Sequence, residues 1–262
     1  MRGVIIENGI ELRVEVPGDS FVQGDSVACS LTLKNHSPNP VDLTHLHLNL
    51  ALGVHKHVKA KDPKGLMPLL GGILTTPEAP NYSPPKTLSA GETLTLRTTF
   101  ELPQNAAVTE KNQSIYLVFG LQDLTIEGAR SSGQLPLTVT PHRYVEEVFR
   151  TLEMVFSFVP KALSWRDDFT ITKYSPPSKR ELTLVEELLL GVKRDGDNLH
   201  LRFSFKVRKF ETATLGVSVK KGKSEIHVTL TPDEFLFGGG HINQERLDAV
   251  IASAIKEVET GI

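Results

Sequence analysis

The chain has 262 residues, 39% of them hydrophobic and 23% charged, which suits a soluble globular protein with a real core and enough length for two ordinary domains. Its 29 Lys and Arg against 31 Asp and Glu leave a net charge of −2, which excludes a general electrostatic pull toward nucleic acid or anionic lipid. With 1 Trp and 4 Tyr there is no aromatic platform for stacking bases, and the lone cysteine, Cys29, excludes an intrachain disulfide and favours a reducing compartment.

The N-terminal stretch mixes acids and Asn8-Gly9 into its apolar run, unlike a secretory signal, and no apolar run is long enough to cross a bilayer. A cytoplasmic protein is expected. Val4–Ile6 and Ile10–Val16 read as strands joined at Asn8-Gly9, a dipeptide that favours the tight hairpin turn. Pro17-Gly18-Asp19 and Gly24-Asp25 supply two further turns. After them Val27, Cys29, Leu31 and Leu33 alternate with Ser26, Ala28, Ser30, Thr32 and Lys34, the period of a half-buried strand. Cys29 on its apolar side reads as a packing residue rather than a reactive thiol.

Prolines at 38 and 40 end that strand, and Val41–Leu52 begins another, with Leu46, Leu48 and Leu50 on one face and His45, His47 and Asn49 on the other. Val54–Lys59 either continues it or returns across Leu52-Gly53. Lys61–Lys86, rich in Pro and Gly, reads as a long irregular loop with one short strand at Gly72–Leu74, and is the segment expected to order on binding. Thr93–Leu102, Ser114–Gly120, Leu124–Glu127 and Leu135–Val139 complete an all-β first half.

Pro141 marks the expected boundary between domains 1–140 and 141–262. Tyr144-Val145, Val148-Phe149 and Leu152 recur at helical spacing, so a helix is expected over His142–Phe156. Strands follow at Phe169–Tyr174, Leu199–Val207, Ala213–Val219 and Glu225–Thr231, with hairpin turns at Asp195–Asn198 and Lys221-Gly222-Lys223. Glu181–Lys193 fits either a helix or a strand, and the Asp-Gly-Asp-Asn turn behind it favours the strand. Asn243–Val258 is a terminal amphipathic helix capped by Asn243.

Taken in order, GDSFVQGDSVACSLTLKN, LHLNL, LSAGETLTLRTTFELP and SIYLVFGLQD resemble the strand order of the arrestin fold. The second half resembles one bacterial branch, the sporulation-control proteins of the stage-zero M type. LPLTVTPHRYVEEVFRTLEMVFSFV is similar to that family's domain join, and DDFTITKYSPPS and ELTLVEELLLGVKRDGDNLHLRFSFKVRK are similar to its second domain. The family tends to carry an acidic pair on the late strand where this chain has KVRKF. The resemblance implies two antiparallel β-sandwich domains, arrestin-like, with a helix at the join and one at the C-terminus, and a non-enzymatic regulatory scaffold or adaptor that binds protein in the cytoplasm.

Two side-chain groups carry chemistry. His45, His47, His55 and His57 share one face of an extended chain, and a turn at Leu52-Gly53 would bring the pairs together as imidazole ligands for a metal; this makes a metal- or small-ligand-binding protein the rival function, although a solvated polar face explains the same residues. Lys206, Arg208, Lys209, Lys220 and Lys221, with Lys223, form basic runs suited to an acidic partner or a lipid headgroup, or to blocking an edge strand from aggregation. No Ser-centred nucleophile elbow, P-loop or cofactor motif is present, so no cofactor and no catalytic residue is assigned. Partner proteins are expected to dock at sheet edges or in the groove between domains. Peripheral membrane contact and homo-oligomerisation stay open, and nucleic acid is not an expected partner.

Overall fold

The computed structural model describes residues 1–54, 69–75, 83–111, 113–122, 132–177, 184–213, 216–238 and 240–260; for Val54, 69–75, 209–213 and 216–220 the backbone alone is described. The chain divides into two compact units, Met1–Thr140 and Pro141–Ile262.

In the first unit alternation produces two sheets. The strands are β1 (Arg2–Glu7), β2 (Ile10–Glu15), β3 (Ser20–Val22), β4 (Ser26–Asn35), β5 (Val41–Asp42), β6 (His47–Val54), β7 (Leu69–Thr75), β8 (Thr87–Leu88), β9 (Thr93–Glu101), β10 (Gln113–Gly120) and β11 (Gly133–Thr140). One sheet runs β1-β2-β4-β9, the other β3-β11-β10-β6-β7, and β5 pairs with β8. Asn8 and Gly9 take φ of 50° and 78°, both positive as their hairpin turn requires. The inward residues Leu12, Val14, Val27, Leu31 and Leu33 of the first sheet and Leu48, Leu50, Ile115 and Leu117 of the second are fully or almost fully buried. Each such side chain contributes roughly 1.5–3 kcal/mol of transfer free energy. Phe119, on β10, joins the layers: its ring lies where a Cβ on Gly3 of β1 or Gly133 of β11 would project.

β6 does not turn at Leu52-Gly53. It stays paired with β10 through Gly53↔Ser114 and Val54↔Gln113, because the neighbouring strand supplies ladder partners along its whole length. β7 then pairs with β6 from its other side and is longer than the short strand expected at Gly72–Leu74. The rest of the expected Lys61–Lys86 loop, up to residue 82, and the strand expected at Leu124–Glu127 lie outside the described residues.

The second unit opens with α1 (Arg143–Met154), capped by His142, whose Nδ1 accepts from the Tyr144 amide at 3.2 Å. A five-stranded antiparallel meander follows: β12 (Val159–Arg166), β13 (Phe169–Ser175), β14 (Val185–Asp195), β15 (Asn198–Ala213) and β16 (Gly216–Leu230). Then come α2 (Pro232–Phe235), β17 (Leu236–Phe237), β18 (His241–Ile242) and α3 (Gln244–Thr260). Asn243 caps α3, its side-chain oxygen accepting from the Arg246 amide at 3.1 Å.

The layer on this sheet is helical. Val145, Val148, Phe149 and Leu152 of α1 and Leu247, Val250, Ile251, Ala254, Ile255 and Val258 of α3 form one core with the inward residues of β13 to β16. At its centre is Tyr174, whose hydroxyl donates to Glu153 at 3.0 Å. The segment that fits both a helix and a strand is β14. β12 was not expected from the sequence: it is an exposed edge strand without alternation, where Pro160 costs no ladder bond and a bulge intervenes before Ala162. The two-residue turn into β13, Asp167-Asp168, has both φ positive, at 51° and 64°.

Lys221-Gly222-Lys223 is likewise not a turn. β16 runs through it unbroken, with Gly222 opposite Val207 and Ala213 opposite Gly216, so the segments expected as two strands are one strand of 15 residues. A glycine within a strand is tolerated where a long partner holds both flanks.

Candidate functional site

This uninterrupted β16 assembles the basic segments. On β15, Leu199, Leu201, Phe203, Phe205 and Val207 point into the core, so the even-numbered residues face outward. The register sets Lys206 opposite Lys223 and Arg208 opposite Lys221, and opposed residues share a face. Four cations therefore form a block on the outer face of the sheet. Lys209 and Lys220 are opposed one step further along the ladder, and their side chains are not described.

A bulge on β14 supplies the counter-charge. Between Val185↔Val207 and Glu187↔Lys206 one extra residue, Glu186, is accommodated, and its carboxylate accepts from Arg208 Nε at 2.6 Å. That bond, and then the charges of Lys221, Arg208 and Lys206, hold the Glu186 carboxyl below the usual carboxylate range. Glu187 is taken by Lys173 at 2.5 Å. Two carboxylates thus adjoin four cations, since Glu187 stands opposite Lys206 in the β14–β15 register while paired with Lys173, and like charges placed directly opposite destabilise a ladder.

β16 is also the last strand of its sheet. Along 216–230 its only backbone hydrogen bonds among the described residues are those to β15. Its inward residues Ile226 and Val228 are half-buried, and they line a groove of about 180 Å³ with Ala249, Val250, Ser253 and Ala254 of α3. Arg246 and Glu257 stand at the rim of that groove.

The histidines are arranged differently. His45 is in the turn before β6, while His47 is the first residue of the strand and buried, not solvated. Its Nε2 lies 3.1 Å from Ser132 Oγ and its Nδ1 3.3 Å from the His45 carbonyl oxygen. His55 and His57 lie outside the described residues. Among the described residues no three His, Cys, Asp or Glu side chains are disposed to hold a metal ion. Asn49 and Ala51 are buried as well, beside Tyr116 and Val118, so this second face of β6 is covered rather than polar and open.

Cys29 is 4% exposed, and burial pushes its thiol up to about 12, as a packing role requires. Gly240, with φ of 75°, belongs to the link between β17 and β18, and its carbonyl accepts from Arg143. The sequence shows the cations of β15 and β16. What it hides is the register that joins them, Lys223 included, because Lys-Gly-Lys carries a turn-like composition; the alternation of Ile226 and Val228 behind it is the signal that continues the strand.

The described fold is strand-dominated and antiparallel except where β3 pairs with β11 in parallel, of arrestin-like class, with helices at the start and end of its second unit. Among solved structures it is similar to Spo0M, a sporulation control protein from Bacillus subtilis, with a TM-score of 0.63 over 96% of this chain and 99% of that one at 15% identity. The resemblance seen in the sequence therefore holds at the level of the fold. Two other matches have a TM-score of 0.26: a Pseudomonas fluorescens alkylpurine DNA glycosylase, AlkC, at 12% identity over 51% of this chain and 31% of that one, and a Vibrio cholerae secreted serine protease, VesC, at 11% over 84% and 43%. No protein-family model matches the chain, and no curated protein matches it significantly. Among the described residues no helix is long and apolar enough to cross a membrane.

Proposed function

We propose that the chain is a non-enzymatic regulatory adaptor of the sporulation-control type, which captures an acidic segment of a partner protein on the cation block of its second unit. The observation that carries this is the register of β15 and β16, which opposes Lys206 to Lys223 and Arg208 to Lys221, with Glu186 bonded to Arg208 and Glu187 opposite Lys206 on the neighbouring strand. An acidic partner relieves repulsion built into the free protein, so binding and electrostatic relief coincide. The fold of Spo0M and the absence of a catalytic motif in the sequence support a regulatory role over an enzymatic one. The buried Cys29 suits a cytoplasmic setting.

A fluorescent peptide rich in Asp and Glu tests this reading. Binding to the full chain should weaken as salt is raised and be lost in Lys221→Glu/Lys223→Glu. Binding that survives both changes, or no binding at low salt, rejects it.

A further inference from the structure

We infer that β16 is a receiving edge, and that its guest is an extended segment in which acidic and apolar residues alternate. This rests on the acidic-partner reading and specifies its binding mode. Three observations meet at the same strand. First, the outer edge of β16 offers its backbone amides and carbonyls along a run without ladder partners among the described residues. An added strand pairs there as strands pair in any sheet. Second, the outer face of β16 presents Lys221 and Lys223 next to that edge, backed by Arg208 and Lys206 one strand behind. Third, the opposite face of the same strand presents Ile226 and Val228 over the groove floored by Val250 and Ala254.

Side chains of a strand alternate between faces, so a guest paired with β16 delivers every second residue to each environment. Those on the outer face meet ammonium groups and are best carboxylates. Those on the inner face meet Ile226, Val228 and the α3 side chains and are best apolar. The two demands are offset along the strand: Lys221 and Lys223 precede Ile226 and Val228. The guest is therefore acidic toward one end and apolar toward the other, with period two throughout. Glu225 and His227 pair with each other at 3.0 Å on the outer face, and there the guest needs no charge.

The occupant is a foreign segment rather than a second copy. Two β16 edges paired with each other would bring the lysines of both strands onto one ladder, whereas an acidic strand is complementary at the same positions. The opposite edge, β12, carries Pro160 and a bulge and is not equivalent.

The test compares two peptides of identical composition by fluorescence anisotropy on the full chain. One, the alternating peptide, carries acids at every second position of one half and apolar residues at the intervening positions of the other half; the second is shuffled to break the period. The alternating peptide should bind at least about tenfold tighter, as expected when apolar anchors enter a formed groove. Ser253→Trp fills the groove from an exposed position on α3, so the fold is retained, which a thermal melt checks. It should weaken the alternating peptide by a similar factor and leave the shuffled one unchanged. N-methylation of alternate backbone amides of the peptide should abolish the preference. Equal binding of both peptides, sensitive to lysine substitution alone, overturns strand addition and leaves the acidic-partner reading intact; no binding of either overturns both. A concentration-dependent dimer that excludes the peptide overturns the choice of a foreign guest.

Discussion

Arg208 and Lys221 stand directly opposite each other across the β15–β16 ladder, two cations at a position where opposite charges would add stability. Glu186 bonds Arg208, and Glu187, opposite Lys206, is shared with Lys173, which leaves Lys221 and Lys223 in excess. Screening should therefore stabilise the free protein: its unfolding midpoint should rise with added salt. Lys221→Thr, a neutral residue with good strand propensity, should raise stability by about 0.2–1 kcal/mol at low salt and show a flatter salt response. A loss of stability in urea titrations would show that Glu186 already balances the block.

Glu186 predicts a pH dependence. Its folded carboxyl titrates below the ordinary value, chiefly through Arg208, so the unfolded chain binds the proton more readily. The stability from this group is present above the unfolded pKa and is lost as pH falls through the folded one. Thermal midpoints of wild type and Glu186→Gln should differ at neutral pH and converge on acidification. A constant gap down to about pH 3 would assign the effect to the bulge rather than to charge.

At Cys29 the prediction concerns reactivity. With its thiol pushed up to about 12 by burial, almost no thiolate exists at neutral pH. A colorimetric thiol reagent should leave the folded protein untouched and label one equivalent in denaturant. Labelling of the folded chain at the denatured rate would place Cys29 at the surface.

Tyr174 is buried, and burial followed by the nearby Glu153 raises its hydroxyl's pKa far above the ordinary value, so it donates to Glu153 as a neutral group. Tyr174→Phe preserves the ring packing against Phe149 and Phe158 and deletes that bond. The cost should be about 0.5–1.5 kcal/mol in urea titrations, with the peptide affinity of the β16 edge unchanged.

Gly133→Ala tests the ring that joins the layers of the first unit. Its Cβ would fall 2.4 Å from the Phe119 ring, which is fixed in the core. Overpacking of this kind costs about 1–3 kcal/mol, and Phe119→Leu in the same chain should recover part of it. Additive losses in the double mutant would show that the two positions do not meet.

The alternation of Val27, Cys29, Leu31 and Leu33 and the helical spacing of Val145, Val148, Phe149 and Leu152 made the sheets and helices of both units readable, because burial on one side imposes a period. β12 lacked any period, since an exposed edge strand has no face to hide. The candidate site was half readable. Lys206, Arg208 and Lys221 stood out as charges, but their assembly depends on register, and register was obscured by a glycine that looks like a turn and is not one. The course of β6 past Leu52-Gly53 stayed open between continuing and turning back for a related reason: whether Gly bends a chain depends on whether a neighbour holds both sides of it.

Pro160 gives the second sheet a direction. One border, β12, is interrupted by a residue that cannot donate and by a bulge that shifts the register, whereas β16 has no outer ladder partner among the described residues. A sheet with one usable border admits a single guest and then stops, since a head-to-tail chain of copies would need the interrupted side as well. Back-to-back pairing through β16 would close at two copies, but there the lysines repel. With recognition at β16 as proposed, the same unequal pair of edges would also keep this sheet from extending into a fibre.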